Sequence, residues 1–172
     1  KPLAVTGNKN YALYGNGVIT NNASMDLTGG LGNVGIYSTG GTATNFNMIK
    51  VGASNTSAKE FGIGMATGYY NESTNTYSNM GTVINKGTIE VSNPNSMGMY
   101  AVGAGSKAIN YGNIHLLGND TIGMYLDKGA VGENWGTIKT TVNGLSSVKG
   151  IYLANGSYIK NYGVISIEAS DS

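Results

Sequence analysis

Apolar and polar residues alternate in short runs along the whole chain. The clearest runs place one polar residue between two apolar ones, as in residues 89–91 (IEV), 114–116 (IHL) and 165–167 (ISI). A period of two sends successive side chains to opposite faces of a strand. Glycine and asparagine interrupt every window that is long enough for an amphipathic helix. The pattern therefore predicts an all-β chain made of many short strands.

These runs belong to an internal repeat. Each copy follows the pattern Asn-x-small-x-apolar-x-apolar, and successive copies start 24, 40, 25, 24 and 27 residues apart. A second marker, Gly-apolar-Tyr, falls between the copies and stays in phase with them. It begins at Gly35, Gly98, Gly123 and Gly150, with weaker versions (ALY and GIG) at Ala12 and Gly62. Two markers in phase indicate a repeated structural unit.

A period near 25 residues favours a parallel β-helix. The common helical repeats are longer, and the Leu-x-x-Leu-x-Leu frame of leucine-rich repeats is missing. Each coil would supply about three short strands and stack on the next at roughly 4.8 Å. Stacking is needed because one coil cannot bury its apolar face alone. We expect about seven coils of roughly 24–27 residues, with one inserted loop at about residues 68–82 (GYYNESTNTYSNMGT).

Residues 1–172 are expected to form a single β-helix domain. The chain starts at KPLAV and stops soon after the strand-like VISIE. We therefore interpret it as a fragment of a longer protein.

Stacking predicts columns of equivalent residues. The first inward column contains Met25, Ile49, Ile89, Ile114, Ile138 and Ile165. The second contains Leu27, Val51, Val91, Leu116, Thr140 and Ile167. Between them, an outward column contains Asp26, Lys50, Glu90, His115, Lys139 and Ser166. Opposite charges in neighbouring strands stabilise a sheet by roughly 0.2–1 kcal/mol per pair. This column favours a surface role for His115, the only histidine, over that of a catalytic base or a metal ligand.

A column of asparagines is expected at a turn of the helix. It contains Asn21, Asn45, Asn85, Asn110, Asn134 and Asn161. Asparagine tolerates left-handed backbone, and each amide can donate to one neighbour in the column and accept from the other. The residue two positions later is glycine in four copies, so the bend is expected to lack room for a side chain.

Two sets of tyrosines are candidates for binding. An outward column contains Tyr14, Tyr37, Tyr100, Tyr125 and Tyr152. These rings either stack on one another, which we favour, or offer faces to sugar rings. The inserted loop is the first choice for a binding element, although a solvated loop is the alternative. Its candidate residues are Tyr69, Tyr70, Asn71, Glu72, Asn75 and Tyr77.

Composition disfavours several classes of function. Only 11% of the residues are charged, the net charge is +1, and arginine is absent, which argues against nucleic-acid partners. The absence of cysteine excludes disulfides and thiolate metal sites. The acids are scattered and show no calcium-loop spacing, so no metal, cofactor or catalytic residue is expected. The longest uncharged run is too rich in glycine and asparagine to be a transmembrane helix.

Residues 98–138 (GMYAVGAGSKAINYGNIHLLGNDTIGMYLDKGAVGENWGTI) resemble the passenger repeats of bacterial type V autotransporter adhesins, most closely the large fusobacterial outer-membrane proteins. The resemblance covers most of the chain and is weakest across residues 52–82. It implies a right-handed parallel β-helix on the cell surface and adhesion to other cells. It also implies a C-terminal membrane β-barrel as a partner in the full-length protein. No defined site residue carries over.

We therefore expect a non-enzymatic segment of a cell-surface autotransporter adhesin, on the extracellular face of the outer membrane. It would mediate or support attachment to other cells through a host or bacterial cell-surface glycan or protein receptor. The first alternative is a purely structural stalk. The second is a polysaccharide lyase or hydrolase on the same fold, which the scattered acids and the missing arginine disfavour.

Overall fold

Seven parallel strands stack into a sheet that we call the Ile face. The computed structural model describes residues 2–171. In order along the stack, the strands are β1 (Leu3–Thr6), β3 (Met25–Gly29), β5 (Met48–Val51), β10 (Thr88–Val91), β13 (Asn113–Leu116), β16 (Thr137–Thr140) and β20 (Val164–Ser166). Each strand belongs to a different coil, so the all-β solenoid of about seven turns is confirmed.

A ten-stranded parallel sheet forms the rest of the wall. Its strands are β2 (Tyr11–Asn21), β4 (Val34–Asn45), β6 (Ile63–Thr67), β9 (Thr82–Asn85), β11 (Met97–Val102), β12 (Lys107–Asn110), β14 (Ile122–Asp127), β15 (Val131–Asn134), β18 (Lys149–Leu153) and β19 (Tyr158–Asn161). In the later coils a short turn divides this wall into two strands, such as β11 and β12. In the early coils β2 and β4 run through the corner. Each regular coil thus supplies three strand segments, as the repeat predicts.

Four short strands and one helical turn lie outside these two sheets. Strands β7 (Tyr69–Asn71) and β8 (Thr76–Ser78) form an antiparallel hairpin. Strand β17 (Leu145–Ser146) pairs with β21 (Ala169–Ser170). A 3₁₀ turn spans Thr56–Ala58. Among residues 2–171, no helix has the length and apolar character needed to cross a membrane.

The register of the Ile face confirms the predicted inward columns. Ile89 pairs with Ile49 on one side and with Ile114 on the other, and all three are 0% exposed. Val91 pairs in the same way between Val51 and Leu116. The members at the end of the stack are more open, because no described coil covers them, and Ile165 is 40% exposed. The apolar core therefore runs along the axis of the solenoid.

The outward column of the Ile face is also in the predicted register. Glu90 lies between Lys50 and His115, and His115 lies between Glu90 and Lys139. Within residues 2–171, however, the salt bridges join Lys9 to Glu60 and Lys107 to Glu133, and neither pair belongs to this column. The column thus aligns opposite charges without closing contact pairs.

The asparagine column forms a hydrogen-bonded ladder inside the molecule. Each Nδ2 donates to the Oδ1 of the next asparagine, at 2.8–3.0 Å over the five steps from Asn21 to Asn161. The expected left-handed backbone is wrong, because none of these residues has a positive φ. Each asparagine is instead the last residue of a strand, and its side chain holds the corner that follows. Asn45, for example, donates to the Asn47 carbonyl at 2.6 Å.

Glycines at this corner allow the coils to approach closely, as predicted. A Cβ atom on Gly112 would lie 2.0 Å from the carbonyl oxygen of Gly87. The same clash, at 2.0 Å, would arise between Gly136 and Gly112. The corner therefore excludes any side chain at this position in consecutive coils.

Candidate functional site

The outward tyrosine column is broken at one coil. Tyr37 pairs with Ala66 in the next coil, and Ala66 pairs with Tyr100 in the coil after that. On either side of the break the rings stack on one another, as we favoured from the sequence. Tyr14 and Tyr37 lie 5.5 Å apart and nearly parallel, and Tyr125 and Tyr152 lie 5.0 Å apart. One coil of the column thus carries a methyl group where its neighbours carry a ring.

The sequence marker in that coil was misplaced. We expected the weak copy GIG at Gly62, but the register pairs Met65 with Met99 and makes Gly64-Met65-Ala66 the equivalent of Gly98-Met99-Tyr100. The marker lacks its tyrosine there, and a shift of two residues hides the substitution. This shift concealed the break in the column.

The extra length of that coil includes the loop expected at about residues 68–82, and a second, shorter loop takes up the rest. Residues 52–62 replace the shorter 92–96 turn of the next coil, and residues 68–81 replace its 103–106 turn. The first loop contains the 3₁₀ turn and is closed by a bridge between Asn55 and Glu60. The second contains the β7–β8 hairpin. The two loops flank strand β6, so they lie at opposite ends of the strand that carries Ala66.

The hairpin packs against neighbouring coils. Its base is held by the Gly68 amide, which donates to the Asn79 carbonyl at 2.9 Å. The Tyr77 ring lies against the backbone of Gly103. The Lys128 ammonium lies 4.1 Å from the centre of the Tyr70 ring, which is a cation–π contact. The inserted loop is therefore a folded hairpin that contacts neighbouring coils through its base and through Tyr70 and Tyr77, while residues 72–78 remain exposed.

A cleft of about 470 Å³ lies between the two loops, above Ala66. Tyr37 and Tyr100 form opposite walls, Phe61 and Tyr69 stand at the loop sides, and Ala66 is 1% exposed at the floor. The floor belongs to a second apolar cluster, against which Tyr37, Phe61 and Tyr100 also pack. Its buried members are Val34, Ile63, Ala66 and Met97. A volume of this size is within the usual range of small-molecule sites.

The two wall tyrosines differ in their hydrogen bonds. The Tyr37 hydroxyl donates to the Gly68 carbonyl at 2.8 Å, which ties this wall to the hairpin. Within residues 2–171, the Tyr100 hydroxyl has no hydrogen-bonding partner. Burial raises the pKa of Tyr100 well above its ordinary value, and the nearby Asp127 carboxylate raises it further. Tyr100 therefore keeps its proton and can donate it to a bound group.

The rim of the cleft carries balanced charge. Its charged side chains are Lys9, Lys59, Lys128, Glu60, Glu72 and Asp127. Glu60 pairs with Lys9, and Asp127 accepts a hydrogen bond from Asn155 at 2.7 Å. The rim thus offers ammonium donors and carboxylate acceptors without a net charge.

The residues predicted in the insertion divide into two groups. Tyr69, Tyr70 and Glu72 line the cleft. Asn71 and Asn75 shape the hairpin: the Asn71 Oδ1 accepts from the Ser73 amide, and Asn75 has φ +52° and accepts from the Tyr70 hydroxyl. Tyr77 packs against Tyr70 in a tilted arrangement, with 5.1 Å between the ring centres.

Sequence reasoning missed the other half of the cleft. Lys59, Glu60 and Phe61 lie in the unexpected loop, and Ala66 was hidden by the misplaced marker. The excess of 15 residues in the 40-residue step was the available signal.

A second aromatic stripe lies just beyond the asparagine ladder. The rings of Tyr111, Trp135 and Tyr162 stack, with ring centres 6.3 and 4.0 Å apart. All three side chains are exposed, but each inner face is covered by the next ring.

Residues 2–171 contain no group of three His, Asp or Glu side chains arranged to hold a metal ion. Asp120, Asp127 and Glu133, the acids that are densest in sequence, do not form such a group. Glu133 instead pairs with Lys107 and accepts from the Trp135 indole at 3.0 Å, and these contacts lower its pKa.

The seven stacked coils define a parallel β-solenoid domain. Two long loops frame a cleft on one of these coils. The chain belongs to the family described as the BigA third pectate lyase-like domain, which matches residues 4–135 and so includes the whole cleft. BigA is a bacterial surface protein, which fits a passenger-domain repeat. "Pectate lyase-like" describes a fold and not a reaction. No curated protein and no solved structure matches the chain.

Proposed function

We propose that this domain is a non-enzymatic segment of a bacterial cell-surface adhesin that attaches to other cells through the cleft above Ala66. The observation that carries the proposal is the coincidence of three departures from the repeat in one coil. The missing tyrosine and both long loops occur together, and they frame the cleft above Ala66. Six regular coils supply a rigid support, and one modified coil supplies a surface feature.

Membership in a family named for a bacterial surface protein supports a location on the cell surface. The resemblance to fusobacterial autotransporter passengers supports the finer assignment to the extracellular face of the outer membrane. The receptor would be a glycan or a protein on a host or bacterial cell.

Attachment can be tested by shortening the hairpin. Residues 68–81 are replaced by the 103–106 turn (GAGS) of the next coil, which the register shows to be its equivalent. We expect the variant to fold and to lose binding to cells. A turn exchange in a regular coil is the matched control: residues 117–121 are replaced by the equivalent 92–96 turn (SNPNS) of the preceding coil, and none of the replaced residues lines the cleft. Unchanged attachment by the shortened variant would favour the stalk.

An enzymatic role is the alternative suggested by the fold. Glycosidases need a pair of carboxyl groups in which one is available as an acid. Of the three carboxyl groups that line the cleft, Glu60 pairs with Lys9 and Asp127 accepts a hydrogen bond from Asn155. Within residues 2–171 this leaves only Glu72, on the exposed hairpin, and one carboxyl group does not make a pair. We therefore expect no cleavage of pectin or related polymers, and measurable turnover would contradict the proposal.

A further inference from the structure

The break in the tyrosine column leaves Tyr37 and Tyr100 without a tyrosine neighbour in the coil between them. Tyr37 stacks on Tyr14, and Tyr100 packs on Tyr125, in each case with 5.5 Å between the ring centres. Within residues 2–171, no ring contact joins Tyr37 to Tyr100. Each tyrosine therefore packs on a ring within the column, lacks a ring neighbour in the Ala66 coil, and lines the cleft.

The separation of these walls fits one flat ring. Two strand spacings, about 9.5 Å, separate equivalent residues on either side of the Ala66 coil. Carbon atoms attract best at about 3.5–4.0 Å, so one ring can contact both walls and two rings cannot enter. The loops 52–62 and 68–81 close the remaining two sides. The cleft is thus sized for one ring-shaped unit.

The rim selects among ring-shaped ligands. An aromatic side chain would cover the ammonium and carboxylate groups of Lys59, Glu72 and Asp127 without offering them partners, which is unfavourable. A pyranose presents C–H groups on its faces and hydroxyls at its edge, and hydroxyls both donate and accept. The balanced rim charge favours a neutral sugar over an acidic or a basic one.

We propose that the cleft binds one neutral pyranose residue of a glycan, stacked between Tyr37 and Tyr100 and hydrogen-bonded at its edge by the rim. This inference rests on the proposed attachment function, because it specifies the receptor chemistry that the cleft would recognise. It assigns the Tyr100 hydroxyl as a further donor to the sugar. Ala66 acts by leaving space for the ring.

The test titrates the 172-residue chain with methyl glycosides of glucose, galactose, mannose and N-acetylglucosamine, followed by NMR of the tyrosine ring protons. We expect saturable binding of at least one glycoside, with shifts at Tyr37 and Tyr100. Ala66→Tyr restores the sixth ring of the column and should weaken binding at least tenfold. Tyr100→Ala removes one wall and should have a similar effect. Tyr162→Ala removes an exposed ring elsewhere and should leave binding unchanged.

Two further measurements keep the outcomes distinct. If Ala66→Tyr lowers the unfolding midpoint, the Tyr37→Ala and Tyr100→Ala variants test the sugar site instead. Glycoside binding that is unchanged in both variants would overturn the proposal. Binding of N-acetyltyrosine amide in place of every glycoside would overturn the sugar assignment in favour of a peptide partner.

Cell attachment separates this inference from the proposed function. If the chain binds no glycoside but attaches to cells, and the Ala66→Tyr variant attaches equally well, the sugar site is overturned. Attachment through another surface of the domain would still support an adhesin. Glycoside binding without attachment would support the sugar site and remove the adhesin role.

Discussion

Asn85 donates from its Nδ2 to the Oδ1 of Asn110 at 2.8 Å, and both side chains are fully buried. Asn110 passes the same bond on to Asn134 at 2.8 Å. Polar groups in an apolar interior cost free energy unless they are paired, so the ladder specifies which residues of successive coils align. It fixes the register along the whole stack.

Asn110→Ala should destabilise the domain by about 1–3 kcal/mol, because it leaves a buried amide donor and a buried carbonyl acceptor without their ladder partners. Urea unfolding followed by circular dichroism measures the loss. Asn161→Ala is the matched control, since Asn161 is exposed and takes part in a single ladder bond. Equal losses in both variants would contradict a stabilising role for the buried ladder.

Gly112→Ala should destabilise the domain, because the new methyl group would lie 2.0 Å from the Gly87 carbonyl oxygen. Overpacking of a tight contact costs about 1–3 kcal/mol. Gly15→Ala is the control, because no atom lies within 4 Å of its added methyl group and its φ is not positive. That variant should be neutral or more stable by about 0.4–1 kcal/mol. The unfolding midpoints of both variants decide the point.

His115 should make the folded chain less stable as the pH is lowered below 6.5, the ordinary pKa of histidine. Burial lowers the pKa of His115 in the folded chain, Lys139 lowers it further, and Glu90 opposes them. The unfolded chain therefore binds a proton more readily, and acid favours unfolding between the ordinary pKa and the lowered one. Urea midpoints at pH 7.5 and 5.5 should differ more in the wild type than in His115→Gln. An unchanged difference would show that His115 is not the source.

Lys128→Asn should loosen the hairpin, because it removes the ammonium that lies over the Tyr70 ring. Asparagine suits the left-handed backbone of this position, where φ is +51°. An exposed cation–π contact contributes about 0.5–1 kcal/mol, which corresponds to about a two- to fivefold rise in the open population. Chymotrypsin cleavage after the hairpin tyrosines measures this opening. Lys139→Asn removes a charge on the Ile face and should leave cleavage unchanged.

The repeated part of the fold could be predicted from sequence because each coil occupies the same environment. Ile89, Ile114 and Ile138 meet the same neighbours, so the same residue type recurs and the spacing reveals the column. Asn85 and Asn110 recur for the same reason. Their strand-end backbone was not predictable, because asparagine's tolerance of left-handed φ says nothing about which neighbour the side chain will bond.

The cleft could be predicted only in part, because it arises where the pattern fails. The hairpin tyrosines stood out as extra residues, but their position over Lys128 depends on contacts across coils. Ala66 carries no local signal, since a single alanine acquires meaning only when Tyr37 and Tyr100 are known to lie on either side of it. Placing the marker at Gly62 instead of Gly64 also hid the extra length of loop 52–62.

The asparagine ladder also makes the coils interchangeable parts. Asn85, Asn110 and Asn134 present the same amide, in the same orientation, to the coil on either side. Excision of residues 111–134 would bring Asn110 to Asn161, which accepts the same hydrogen bond that Asn134 accepts now. Whole coils can therefore be gained or lost by in-frame duplication and deletion without new interfaces, which changes reach in steps of about 4.8 Å. Because the ladder repeats the same hydrogen-bonded contact between coils, the length of such a protein can change during evolution.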